Sequence, residues 1–272
     1  MPADLLAGIH HRAPPMRERR PTILVFDSGL GGLTVLSELE ARCPAAQFVY
    51  AGDDAAFPYG DLTEPALVRR ILLVMERLIA RCEPDLVVIA CNTASTIVLP
   101  HLRARFALPF VGTVPPIKPA ALQSQSRLFS VLATPGTVAR DYTHDLIETY
   151  AAGCAVTLVG STRLAGYAER EMSGQPVTDD ELRAELAPCF VRDGAAATDV
   201  VVLACTHYPL LLARLRRLAP WPVTWIDPAP AIARRVADLI GPRAPSRLLP
   251  PDETSAVFTS GTCLTPALQA AL

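Results

Sequence analysis

The chain has 272 residues, half of them hydrophobic, with 27 acidic against 25 basic side chains and a net charge of −2. That length buries a sizeable core, as one large domain or two medium ones, and the balance gives neither disorder nor a general affinity for nucleic acid. No apolar run approaches the roughly 18 residues that span a bilayer, residues 1–20 lack the apolar stretch of a secretory signal, and seven scattered cysteines do not make a disulfide framework, so the expected setting is a reducing cytoplasm with free thiols and no membrane.

Residues 1–20, with Pro14-Pro15 and Arg12, Arg17, Arg19 and Arg20, read as a flexible basic tail. Residues 22–26 form a short buried strand that runs into Asp27-Ser-Gly-Leu-Gly-Gly32, and a helix follows over 33–41. Strand, glycine-rich turn and helix N-terminus in that order are the layout of an anion site. A strand at 47–51 leads to the loop 52–60, and Leu67, Ile71, Val74, Met75 and Leu78 share one face, which predicts a helix over 64–82. After a strand at 85–91 comes a helix interrupted near Pro100, a short strand at 109–112 and a crossing segment at 114–119.

The second half repeats the theme. A strand at 128–133 ends in Thr134-Pro-Gly-Thr137, with a helix over 138–150, a strand at 156–159, and helices over 164–172 and 179–190. Then come strands at 199–205 and 225–227, a helix over 229–240 and a last strand at 256–259. The alternation predicts an α/β fold of two pseudo-symmetric three-layer α/β/α lobes, with mainly parallel sheets and the active site between them. The first lobe is expected over 21–115, completed by 226–272, and the second over 116–225.

Two stretches carry the strongest signal. Asp85-Leu-Val-Val-Ile-Ala-Cys91 and Asp199-Val-Val-Val-Leu-Ala-Cys205 agree at five of seven positions. Unbroken aliphatic runs of this kind read as strands of a parallel sheet buried on both faces, and chemistry collects just beyond the carboxyl ends of such strands. A buried cysteine is by default a small apolar residue, and Cys43, Cys82, Cys154, Cys189 and Cys263 are read that way. Cys91 and Cys205 stand apart because each precedes hydrogen-bonding residues, Asn92 and Thr93 in one case and Thr206 and His207 in the other. Cys205-Thr-His207 alone supplies too few ligands for zinc, there is no Cys-x-x-Cys, and neither a G-x-G-x-x-G nor a G-x-x-x-x-G-K-[ST] motif occurs. No metal, nicotinamide cofactor or nucleotide hydrolysis is expected.

Two thiols facing one carbon from opposite sides suit the removal of a proton from one face and its return to the other, one acting as thiolate base and the other as thiol acid. Asp27 is either a partner of Cys91 or a cap for its own turn. His207 either assists Cys205 or is structural. Glu169, in an amphipathic helix, reads from its own position as a solvated carboxylate.

Taken together, Phe26-Asp-Ser-Gly-Leu-Gly-Gly-Leu-Thr34, Asp53-Asp-Ala-Ala-Phe-Pro-Tyr-Gly60, Ala90-Cys-Asn-Thr-Ala-Ser95, Val114-Pro-Pro-Ile-Lys-Pro119, Ala204-Cys-Thr-His-Tyr-Pro-Leu-Leu211 and Ala231-Ile-Ala-Arg-Arg235 resemble the glutamate racemases, in order and spacing, over about residues 22–260. The resemblance implies a cofactor-independent two-lobed enzyme in which Cys91 takes the Cα proton from D-glutamate and Cys205 from L-glutamate. It implies that Asp27 supports Cys91, that Glu169 and His207 support Cys205, and that Asp27, Ser28, Tyr59, Gly60, Asn92, Thr93, Thr206 and His207 hold the substrate's ammonium and carboxylates. D-glutamate would then feed peptidoglycan synthesis. Leu158-Val-Gly-Ser161 through Ala168-Glu169, with the tail, resembles the Gram-negative branch, which implies a UDP-muramoyl-peptide activator with the basic tail as its site. Dimers are common in the family, so a homodimer is a further expectation.

The chain departs from the family pattern at Asp54, Ala56, Pro116 and Asp227-Pro-Ala229, none of them a proposed catalytic atom. Rival readings are a racemase of another acid such as aspartate, a non-catalytic binding protein on the same fold, and a thiol redox protein that would form a Cys91–Cys205 disulfide.

Overall fold

The computed structural model describes residues 20–241 and 254–261. The expected basic tail lies, but for Arg20, outside the described residues, as does Cys263. β1 (Thr22–Asp27) is buried along its whole length because its alternating side chains enter two cores. Ile23 and Val25 pack into one layer, and Leu24 and Phe26 into the layer on the other side of the sheet. α1 (Leu33–Arg42), β2 (Gln47–Gly52), α2 (Glu64–Cys82), β3 (Leu86–Ile89), α3 (Asn92–Arg105) and β4 (Phe110–Gly112) continue the alternation.

The second round begins with α4 (Ile117–Gln123) and β5 (Leu128–Ala133), then α5 (Pro135–Val138), α6 (Asp141–Tyr150), β6 (Ala155–Gly160), α7 (Leu164–Met172) and α8 (Asp179–Leu186). A small hairpin, β7 (Arg192–Asp193) with β8 (Ala196–Ala197), precedes β9 (Val200–Ala204), α9 (Leu212–Leu218) and β10 (Thr224–Ile226). α10 (Ala229–Ile240) and β11 (Ser255–Phe258) return to the first sheet, α10 packing on α1 and β11 pairing with β2.

Both large sheets are parallel throughout. The first runs β11-β2-β1-β3-β4 and the second β10-β9-β5-β6. With β11 set aside, the orders β2-β1-β3-β4 and β6-β5-β9-β10 are the same winding made twice, so β3 and β9 are equivalent strands. Each sheet reverses its direction of winding beside its first strand, between β1 and β3 and between β5 and β9. Ligands of doubly wound sheets bind at that switch point. The aspartate that opens each repeat works at the far end of its strand. Asp85 Oδ2 accepts the Thr22 N–H at 2.8 Å, and Asp199 accepts from Ser124 Oγ and the Gln125 and Ser126 N–H groups at 2.7–2.8 Å.

Two helices differ from the sequence reading. α3 runs unbroken through Pro100, although an interior proline lacks the N–H and crowds the preceding turn, at about 3 kcal/mol. Ile97, Val98, Leu99 and Leu102 are all buried around it, and that packing holds the helix together. The helix expected over 138–150 is two: α5 starts in the Thr134 turn itself, and the chain breaks at Ala139 and Arg140, where Thr143 Oγ1 caps the Thr137 carbonyl at 2.7 Å.

Candidate active site

The switch points of the two sheets face each other across one cavity. From the first lobe come Ser28, Tyr59, Gly60, Cys91, Asn92 and Thr93, and from the second Thr134, Cys205, Thr206 and His207. Cys91 caps the start of α3 just beyond β3, and Cys205 follows directly on β9. The free space is about 20 Å³, room for about one water molecule. An amino acid is therefore admitted only when the walls part. Asp27 and Glu169 stand one layer behind the wall.

The two thiols have different surroundings. Cys91 Sγ lies 3.7 Å from Ser28 Oγ, and burial, reinforced by the nearby Asp27 carboxylate, pushes its thiol up to about 12. Asp27 is wholly buried at the end of β1 and caps its own turn: Oδ1 accepts the Gly29 N–H at 3.0 Å, while Oδ2 accepts the Thr206 hydroxyl of the other lobe at 3.0 Å. Burial raises the Asp27 pKa above the usual carboxylate range, against the pull of His207 and those two donors.

On the opposite wall Cys205 Sγ lies 3.8 Å from His207 Nδ1, and His207 Nε2 lies 2.7 Å from Glu169 Oε1. Burial by itself lowers a histidine pKa, but the bonds to Cys205 and Glu169 outweigh it and hold His207 up to about 10. The ring is an imidazolium at neutral pH, with one N–H toward sulfur and one toward the carboxylate. Gly31 N also lies 3.2 Å from Nε2, a contact that a protonated ring does not accept, so the Nε2 proton belongs to Glu169.

The glycine-rich turn after β1 does cradle an anion, and the anion is supplied by the chain itself. Glu169 Oε1 accepts the Leu30 N–H at 2.6 Å. A Cβ on Gly29 would collide with that oxygen, and one on Gly31 with His207 Nδ1 and Thr206 Oγ1. The glycines are there so that the second lobe can reach the turn. Glu169, solvated by its own sequence position, is in fact mostly buried.

Residues 31–236, most of the chain, match the family described as Asp/Glu/hydantoin racemase. The chain belongs to the Asp/Glu/hydantoin racemase family. Among its relatives in that racemase family, the glutamate racemase of Mesorhizobium japonicum is 57% identical over 241 residues, covering 88% of this chain and 91% of the relative. The glutamate racemase of Brucella ovis is 52% identical over 255 residues, 93% of this chain and 92% of the relative. Of solved structures, that of Escherichia coli glutamate racemase in complex with L-glutamate and the activator UDP-MurNAc-Ala is similar at a TM-score of 0.80 and 41% identity, covering 91% of each chain.

In this racemase-family member Phe57, Pro58, Thr134 and Ala165 also line the wall, beyond the residues expected from the sequence. Thr134 directly follows β5 as Ser28 follows β1, and its Oγ1 bridges Thr93 Oγ1 at 3.1 Å across the cavity and Thr137 Oγ1 at 3.0 Å. The signal was the small-residue turn after the strand equivalent to β1, which had been read only as a turn. Phe57 adds a ring 5.2 Å from the His207 ring. Asn92 is the most telling wall residue. Its Oδ1 has a long contact of 3.4 Å from Thr113 Oγ1, but its buried Nδ2 has no hydrogen-bond partner among the described residues. An unpaired buried donor costs about 1–3 kcal/mol, and this one stands free on the cavity wall. Tyr59 lines the cavity as well, and its hydroxyl donates to Asp53 Oδ2 at 2.7 Å. Among the described residues no group of three or more His, Cys, Asp or Glu side chains is arranged to hold a metal ion, and no helix is long and apolar enough to cross a membrane.

Proposed function

We propose that the chain interconverts L- and D-glutamate by passing the Cα proton between Cys205 and Cys91. The observation that carries this reading is the pairing of two thiols on opposite walls of one cavity, one beside an imidazolium–carboxylate pair and the other beside a serine and a buried aspartate. Glutamate as the substrate rests on the relatives named above.

With L-glutamate, Cys205 acts as thiolate, its charge balanced by the His207 imidazolium, and takes the Cα proton. Cys91, a thiol at neutral pH, delivers its proton to the opposite face. D-glutamate leaves, with Cys205 now a thiol and Cys91 a thiolate that Ser28 can stabilise by hydrogen bonding. The reverse reaction starts from that state. Asn92 Nδ2 and the Thr93 hydroxyl would donate to the substrate's carboxylates. A proton next to a carboxylate is so weakly acidic that the base must be close, aligned and dry, and the closed cavity meets that need. The scheme asks for no cofactor or metal. The lobes, 21–115 with 226–272 and 116–225, would part to admit substrate. The D-glutamate would serve peptidoglycan synthesis in the cytoplasm, and by likeness to the E. coli enzyme a UDP-MurNAc-Ala precursor would raise turnover.

The test is proton NMR with L-glutamate in D2O, with optical rotation, with and without UDP-MurNAc-Ala. Wild type should exchange the α-proton and lose rotation, while Cys91→Ser and Cys205→Ser should each lose racemisation by about 10³-fold or more. A wild type inert under all these conditions, or a cysteine variant that racemises at the normal rate, would overturn the reading.

A further inference from the structure

Asp53 follows β2, its side chain wholly buried just behind the Tyr59 wall. It gathers groups from four distant places. Its backbone N–H donates to the Asp27 carbonyl at 2.9 Å. Oδ2 accepts from the Tyr59 hydroxyl at 2.7 Å and from Arg70 Nε at 2.9 Å, while Oδ1 accepts from Arg70 Nη2 at 2.5 Å and from Thr259 Oγ1 at 2.6 Å. The two-pronged arginine fixes the plane of the carboxylate, and the tyrosine is thereby fixed in turn. Burial would raise the pKa of this carboxyl, yet the donors hold it below the usual range.

The arrangement says more than that a buried charge is neutralised, for which Arg70 would suffice. One residue, with its backbone N–H on the Asp27 carbonyl and its carboxylate on the Tyr59 hydroxyl, ties the end of β1 to a residue that lines the cavity. The same carboxylate reaches Thr259, an exposed residue just past β11, whose hydroxyl alone enters the cluster. The neighbouring Asp54 docks the same terminal segment through the Ser260 N–H at 2.9 Å and a long contact of 3.5 Å from the Thr259 hydroxyl, and no hydrogen bond joins it to Tyr59. Both aspartates hold the segment, and Asp53 is the one that links it to the wall.

We propose that Asp53 is a positioning residue of the racemisation site, which sets Tyr59 and Gly60 relative to Asp27 and, through Thr259, makes the segment after β11 part of the substrate-binding scaffold. This rests on the cavity being the glutamate site. Substrate binding is the property expected to depend on this wall, since no hydrogen bond joins either thiol to the cluster.

The experiment measures kcat and KM in both directions, the Kd of D-glutamate by calorimetry, and the thermal midpoint, for wild type, Asp53→Asn, Thr259→Val, Thr259→Ser and Asp54→Ala. Thr259→Val should raise KM and Kd about three- to tenfold, part of the loss of a hydrogen bond to a charged group, with kcat within about twofold. Thr259→Ser, which keeps the hydroxyl, should restore wild-type values. Asp53→Asn should raise KM and Kd more than Thr259→Val does, and Asp54→Ala should leave both within about twofold. If Asp53→Asn fails to fold, the Thr259 pair and Asp54→Ala decide the matter. Unchanged KM and Kd in Thr259→Val, or equal changes in Thr259→Val and Asp54→Ala, would overturn the inference while leaving the glutamate reading intact. A wild type that neither binds nor racemises glutamate would overturn both.

Discussion

Glu169 and His207 meet at 2.7 Å, and the same Glu169 oxygen takes the Leu30 N–H from the opposite lobe at 2.6 Å. A buried imidazole is ordinarily neutral, since burial disfavours its charge. Here the carboxylate on one side and the Cys205 sulfur on the other reverse that preference. The cation beside Cys205 therefore depends on a carboxylate that is itself held where the two lobes touch.

Replacing Glu169 with Gln should lower kcat/KM about 10²-fold, the usual scale for losing support of a proton-transfer group. The enantiomers have equal free energy, so kcat/KM must fall equally in both directions. The asymmetry should appear in isotope effects instead. α-Deuterated L-glutamate, whose deuteron Cys205 takes, should show a larger effect on kcat/KM than in wild type, and the D-enantiomer a smaller one. Isotope effects that move together in the two directions would sink the assignment of Glu169 to the Cys205 side.

Glycine positions offer a geometric check. Gly31→Ala would drive a methyl into the His207 ring and Thr206, so activity should fall by more than about tenfold and the thermal midpoint by a few degrees, as overpacking costs about 1–3 kcal/mol. Gly166, inside α7 with open space at its Cβ position, should respond oppositely: alanine there should stabilise the fold by about 0.5–1 kcal/mol. Paired melting and rate measurements on the two variants test both signs.

The stability of the fold should decline as pH rises from neutral. An unfolded histidine loses its proton near pH 6.5, whereas folded His207 keeps it to about 10. Its contribution is thus fully present below about pH 6.5 and is lost as pH climbs through about 10, with a slope of at most about 1.4 kcal/mol per pH unit. Cys91, held up to about 12, acts in the same direction above about pH 8.5, where the unfolded thiol ionises first. The urea midpoint should fall between pH 7 and 10, and His207→Gln should flatten the lower part of that decline. A midpoint that rises over this range would mean that folded His207 is neutral.

Asn92→Ala should separate binding from folding. Its free Nδ2 contributes no bond to the fold, and its Oδ1 only the long contact from Thr113, so stability should change by less than about 1 kcal/mol. KM for glutamate should nevertheless rise more than about tenfold, as expected when a donor to a charged group is lost. A large stability loss with KM unchanged would assign Asn92 to the scaffold.

What the chain's own residues determine is the secondary structure and the pair of thiols. Unbroken aliphatic runs at β1, β3, β5 and β9 read as strands with both faces covered, and the bounds expected for α2, α7 and α10 are those observed. The repeat of Asp-x-Val-Val-x-Ala-Cys marked equivalent strands before any topology was known. Tertiary structure decided the rest. That α3 runs through Pro100 depends on the packing of Ile97, Val98, Leu99 and Leu102 into the core, which outweighs a local cost. Why the turn after β1 needs glycine, why Glu169 is not a surface residue, and why Asp53 is buried all turn on partners remote in the chain: Glu169 is 139 residues from Leu30, His207 is 176 from Gly31, and Thr259 is 206 from Asp53. Local pattern registers burial and periodicity, because neighbours in sequence share a face. It carries no mark of which carboxylate will meet which N–H once two separate sheets close on each other, and the chemistry of this cavity is made of such meetings.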